Sequence, residues 1–238
     1  MKTLINLSLL LITFASAGCT PGLCSRSYDV RFVSGPQIAI DGSLDEPAWQ
    51  KAFSENNFIL PWKNEIPPAT EFRALYDESS FYFSFRVYDC NLVVEKNFTG
   101  ESTVDNEDRV EIFFAPDDKL KRYFCLEVDP LGRVHDYAAS YYRKLDSSWD
   151  CAGLCTAGAI TEYGYIVEAA VPLKTLKTLG LCSDESDLSF KAGLFRADFY
   201  QQPNSEPQVR WVSWVDPGTK MPDFHVPKAF GCLTLKND

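Results

Sequence analysis

The 238-residue sequence predicts an all-β chain: a two-sheet antiparallel β-sandwich, jelly-roll or immunoglobulin-like in architecture, with one or two short helices. Three observations predict it. Phe81, Phe83, Phe85 and Val87 alternate with Tyr82, Ser84, Arg86 and Tyr88, the period-2 pattern of a strand with one face in a core. Similar stretches recur at 70–76, 109–115, 122–128, 134–141, 165–171, 190–200, 209–215 and 230–235, separated by turn formers such as Asp77-Glu78-Ser79, Asp129-Pro130-Leu131-Gly132 and Pro217-Gly218. Aromatic residues make up 14% of the chain and are mostly Phe and Tyr, which favours strands over helices. About ten short strands with few helical stretches define a sandwich or barrel.

Taken in order, the chain opens with Lys2 and an apolar run over 4–14 that is too short to span a bilayer. The run ends in Ala15-Ser16-Ala17-Gly18-Cys19, so residues 1–18 have the layout of a signal peptide. Ala15-Ser16-Ala17 fits cleavage after Ala17, giving a periplasmic or secreted protein. Ser16-Ala17-Gly18-Cys19 resembles a bacterial lipobox, with Cys19 as the lipid attachment site of an outer-membrane or cell-surface lipoprotein. Residues 19–29 read as a small, polar tether and 30–238 as the domain. A short strand at 38–40 leads into the Asp41-Gly42 turn. Ser43 and Glu46 then have capping-box spacing before Pro47 and Trp49, which reads as a core anchor. Residues 172–179 read as one or two helical turns.

The net charge of −10 excludes a nucleic-acid partner, which needs a basic face, and leaves membrane contact only through a lipid anchor. A monomer is expected. Eight cysteines in an exported chain can pair, and Cys151 and Cys155 are close enough to bridge within one loop. No C-x-x-C pair is present and His135 and His225 are the only histidines, which argues against structural zinc.

Several segments in order resemble the carbohydrate-binding module family 9-like domains. They are Ile40-Asp41-Gly42-Ser43-Leu44-Asp45-Glu46-Pro47-Ala48-Trp49, Tyr76-Asp77-Glu78-Ser79-Ser80-Phe81-Tyr82-Phe83, Asp108-Arg109-Val110-Glu111-Ile112-Phe113-Phe114, Val167-Glu168-Ala169-Ala170-Val171-Pro172, Trp214-Val215-Asp216-Pro217 and Phe224-His225-Val226-Pro227-Lys228-Ala229-Phe230-Gly231. The resemblance runs from about Ile38 to Leu235. It implies a β-sandwich of two antiparallel sheets and a non-catalytic module that grips a poly- or oligosaccharide between two aromatic rings. In sugar-binding members the first ring falls just before Asn106-Glu107-Asp108, where this chain has Asp105. The second falls at Phe224. An arginine implied on the strand at 126–128 is replaced by Glu127. The resemblance also makes calcium a possible ligand, without naming its donors.

The residues themselves add candidates. Trp211 and Trp214, at i and i+3, should face opposite ways, and Trp214 lies near a sheet edge beside a turn. Phe224 and His225 sit in a loop held extended by Pro222 and Pro227. Trp149 is a large aromatic in the polar loop Asp146-Ser147-Ser148-Trp149-Asp150, and Trp62 lies between Pro61 and Lys63. Arg196 and Asp198 share a strand face and can pair with each other or with Glu127. The ligand edge is therefore expected where the Phe224–His225 loop meets the Trp149 loop and the end of the Trp214 strand. Glu111 and Glu168 each interrupt an apolar face and together are the carboxylate pair a glycosidase would need. The competing functions are an interaction lipoprotein that kept the fold and lost the sugar site, and a haem domain in which His135 would have to supply the second axial ligand, because Met221 and His225 are too close along one loop to clamp an iron.

Overall fold

The computed structural model describes residues 24–35, 38–182, 188–201 and 207–237. The signal peptide, Ala17 and Cys19 lie outside the described residues. Twelve strands form one curled ladder: β1 (Ser27–Phe32), β2 (Thr70–Tyr76), β3 (Ser80–Tyr88), β4 (Arg109–Ala115), β5 (Tyr123–Val128), β6 (Val134–Ser140), β7 (Lys144–Asp146), β8 (Cys155–Thr161), β9 (Gly164–Pro172), β10 (Leu188–Tyr200), β11 (Gln208–Ser213) and β12 (Gly231–Lys236). One short α-helix, α1 (Leu173–Thr178), and 3-10 turns at Pro47–Lys51, Glu101–Asn106 and Pro227–Ala229 complete it. The all-β class expected from the sequence is the class observed. β1 begins at Ser27, within the stretch read as tether.

The ladder runs β7-β6-β5-β4-β10-β12-β1-β2-β3-β9-β8, with β11 beside the second half of β10. Two antiparallel sheets were expected; instead the sheet is mixed and continuous, because β1 pairs in parallel with both β12 and β2. The ladder folds over on itself. The Phe81 ring on β3 lies 6.1 Å from Phe114 on β4 and 6.2 Å from Phe190 on β10, strands far apart along the path. The main core lies between these two halves and holds Phe72, Phe81, Phe83, Phe85, Ile112, Phe114, Leu194 and Trp214. A disulfide joins Cys24 to Cys232, whereas Cys151 and Cys155 are free thiols, so the bridge expected within one loop is not the one formed.

The alternation in β3 holds for its core face, but Tyr82 and Ser84 on the other face are buried too. The segment around Ile38, Trp49 and Ala52 packs over them as a separate apolar cluster. Trp49 is 2% exposed, as the sequence predicts. Residues 38–40 are not a strand, and Ser43 does not cap a helix. Glu46 precedes the Pro47–Lys51 turn and accepts a hydrogen bond from the Ala39 amide instead.

Candidate functional site

The sheet pleat and register build the site. On β4, Arg109, Glu111 and Phe113 face away from the main core, while Val110, Ile112 and Phe114 face into it. Register then lines up one row across four strands, Phe195, Glu111, Glu127 and His135, and beside it a second row, Gly193, Phe113, Cys125 and Tyr137. Gly193 is required in the second row. A Cβ there would stand 2.3 Å from Phe195 Cζ, so only glycine lets that ring lie back across the strand. Phe224 then stacks on Phe195, centroids 4.0 Å apart and planes 9° apart.

Above the first row is a cleft of about 280 Å³, near the lower end of small-molecule sites at roughly 300 Å³. Asp105, His135, Tyr137 and Trp211 line it, with Arg143 and Leu145 from the β6–β7 hairpin and Phe224 and His225 on one side. Its floor is charged. Arg109 Nε lies 2.6 Å from Glu127 Oε2 and 3.0 Å from Glu111 Oε1, yet none of these three atoms has an aligned hydrogen-bond partner. Arg109 Nη1 donates to the Asp105 carbonyl at 3.0 Å, and the guanidinium lies 5.6 Å from the centre of the Trp211 ring. Tyr137 donates to Glu127 Oε1 at 2.8 Å. Asp105 and His135 share a hydrogen bond of 2.7 Å.

These surroundings shift the protonation of three groups. Burial, then the neighbouring Glu127, pushes Glu111 up to about 8. The hydrogen bond to Asp105 raises His135. Burial lowers His225 to about 4, so its ring is neutral near pH 7 and shares a 2.9 Å hydrogen bond with the Tyr123 hydroxyl.

The cleft brings together Asp105, Glu127, Phe224 and His225. It does not include the other three sequence candidates. Trp149 packs against Phe124 in a tilted pair, ring centroids 5.0 Å apart. Phe124 and Glu127 are three residues apart on β5 and face opposite sides, so Trp149 lines a different cavity with Pro172 and Thr175. The expected meeting of the Trp149 and Phe224 loops does not occur. Trp214 is fully buried and donates its indole N–H to Glu55 at 3.0 Å, so the tryptophan that reaches the cleft is Trp211. Arg196 follows Phe195 directly and so points to the opposite face from the cleft, where it pairs with Asp89 at 2.5 Å and Asp198 at 2.6 Å rather than with Glu127. Phe224 and His225 are themselves only 6% and 7% exposed. The rings of Phe113, Tyr123 and Tyr137 surround His225 within 6.4 Å.

Arg109 and Tyr137 were missed. The signal for Arg109 was available: it precedes Glu111 by two residues and must share its face. The implied arginine is absent from β5, but Arg109 on the adjacent strand lays its guanidinium against Glu127. Two further acidic groups bear on calcium. Asp89, Asp108 and Asp198 carry oxygens within 4.8 Å of one another. Their carboxylates are already taken by Arg196, Arg210 and the amides of Val93 and Phe199, so this group does not fit a cation. Glu101, Asp136 and Asp150 also bring carboxylates together, but Asp136 is buried and already accepts from the Cys151 amide at 2.7 Å.

A curled β-ladder with a polar, aromatic-walled cleft defines a small-ligand binding module. The chain belongs to the carbohydrate family 9 binding domain-like family, whose model matches residues 40–238. Three solved structures share the fold. A candidate carbohydrate-binding protein from Bacteroides uniformis ATCC 8492 has a TM-score of 0.66 and 16% identity, covering 89% of this chain and 99% of its own. A family 9 carbohydrate-binding module from Caldicellulosiruptor kristjanssonii in complex with cellotriose has a TM-score of 0.56 and 19% identity, over 90% and 95% of the two chains. The same organism's module in complex with glucose has a TM-score of 0.58 and 17% identity, over 90% and 97%. No curated protein shows significant similarity.

Proposed function

We propose that the protein is a non-catalytic module that binds an oligo- or polysaccharide in the cleft over Glu111 and Glu127. The observation that carries this is the cleft itself. Arg109, Glu127, His135 and Tyr137 converge as hydrogen-bonding groups beside the half-exposed Trp211 ring, in a chain of a carbohydrate-binding family. Sugar hydroxyls need such donors and acceptors, and the C–H faces of a pyranose need a flat aromatic neighbour. Glu111 and Glu168 support no hydrolysis, because Glu168 lies on another face of the fold against Gly42 and Trp49. The module is exported and held by lipid on Cys19; fatty-acid labelling that tags the wild type and not Cys19→Ser checks this.

A panel of plant, host and microbial glycans read by tryptophan fluorescence tests the binding. With Phe224 buried and Asp105 in place of a ring, the partly buried indole of Trp211 does the stacking. The expected affinity is weak, about −4 to −6 kcal/mol. A panel with no responding glycan, or a ligand whose affinity is unchanged by Trp211→Ala, overturns the proposal.

A further inference from the structure

On the far side of Trp211 lies a second cavity of about 320 Å³. Trp211 and Pro222 line both it and the cleft, so the two meet along that ridge. Phe224 explains the shape. Buried on Phe195, it supports Trp62 at 5.6 Å and Trp211 at 5.8 Å, and these two half-exposed indoles are the rings that reach the second cavity. The indole N–H of Trp62 donates to the Thr219 carbonyl at 2.9 Å, which fixes that ring in place.

The charges on the two sides of the ridge differ. The cleft mixes Asp105, Glu127 and Asp223 with Arg109, Arg143 and His135, while Glu111 holds its proton near pH 7. The second cavity presents Lys63 and Lys220 and, among the described residues, no carboxylate. Lys63 leans over Tyr200 and donates to its hydroxyl at 3.2 Å, while Lys220 is exposed. On a chain of net charge −10, two lysines around two indole faces form a local anion site with a stacking surface.

We infer that the second cavity is a further saccharide subsite that takes a sugar residue bearing a carboxylate or sulfate, so that the module prefers an acidic oligosaccharide whose uncharged unit occupies the cleft. This rests on the glycan-binding reading above and deepens it. The lysines attract the anionic unit and the mixed charges of the cleft do not, which sets the direction in which the oligosaccharide lies across Trp211.

Three tetrasaccharides test this against the full chain: cellotetraose, uncharged throughout; a hyaluronan tetrasaccharide, alternating uronate with uncharged sugar; and a κ-carrageenan tetrasaccharide, alternating sulfated with uncharged sugar. At low salt one of the two anionic probes should bind about tenfold more tightly than cellotetraose, and the advantage should shrink near about 0.5 M salt. Which of the two wins separates carboxylate from sulfate. The Lys63→Gln/Lys220→Gln variant should lose about fivefold to tenfold for that probe and stay within about twofold for cellotetraose. Cellotetraose binding as well as both anionic probes overturns the subsite alone. So does an anionic preference that survives the double substitution, since Arg109 and Arg143 would then be its source. Binding of no tetrasaccharide overturns the glycan reading with it.

Discussion

Glu111 and Glu168 interrupt apolar strand faces in the same way, yet the fold treats them differently. Glu168 is closed in. Its Oε2 accepts from the amides of Gly42 at 2.8 Å and Asp41 at 3.2 Å, and its Oε1 accepts from the Trp49 indole at 3.0 Å. Burial pushes it up to about 7, while those donors pull the other way. Glu111 sits beside Arg109 and Glu127 under an open cleft, with Oε1 lacking an aligned partner. A buried acid whose two oxygens both meet donors fastens a loop to a sheet. One left incompletely paired beside a cavity belongs to a site.

The comparison is sharpened first at its closed end. Trp49→Ala removes a buried indole and the partner of Glu168, and chemical denaturation should show a loss of about 3–5 kcal/mol. A change within about 0.5 kcal/mol would mean that Trp49 is not part of the fastening. Phe224→Ala comes next. Because Phe224 is stacked on Phe195 rather than exposed, it should cost about 3 kcal/mol of stability as well as weaken glycan binding. An unchanged melting temperature would show that the ring is free. Glu168→Ala strands three donors and should cost about 2 kcal/mol, visible as faster amide exchange at Asp41 and Gly42.

The open end differs in its pH dependence. Glu111 titrates near 4.5 when unfolded and about 8 when folded, so the folded state holds its proton longer. Its contribution is fully favourable below about 4.5 and is lost as pH rises to about 8. Stability of the wild type should fall over that window, and Glu111→Gln should flatten the fall while changing stability by less than about 1 kcal/mol at pH 5. A slope identical in both proteins breaks the contrast, because Glu111 would then titrate as an exposed acid does.

Most of the architecture was legible because period-2 alternation is a local signal. The strands at 70–76 and 109–115 match β2 and β4 end to end. β1, β7 and β8 were not seen. β7 is three exposed residues and β8 is rich in small residues around Gly158, so neither carries an apolar stripe. The site was half legible. Family resemblance pointed to Asp105, Glu127 and Phe224, but which side of a strand faces a cleft depends on register between distant segments. Arg196 and Trp214 were misplaced for that reason, each differing by an odd count from a residue on the cleft side of the sheet, Phe195 and Trp211, and Trp149 packs on Phe124, three residues from Glu127 and on the opposite side of β5.

The bond between Cys24 and Cys232 has a mechanical consequence. It fastens the start of the described chain to β12, which pairs with β10, which pairs with β4, the strand carrying Arg109 and Glu111. A pull applied at the cleft therefore reaches Cys24 through three neighbouring strands and one covalent link. The half of the ladder built from β2, β3, β9 and β8 lies off that line of force. With the disulfide formed, the domain can bear tension between the cleft and Cys24 while its other half stays slack. Single-molecule pulling from Ser25 against a ligand-coated bead should show rupture of the ligand before any unfolding length appears, and reduction of the disulfide should reverse that order.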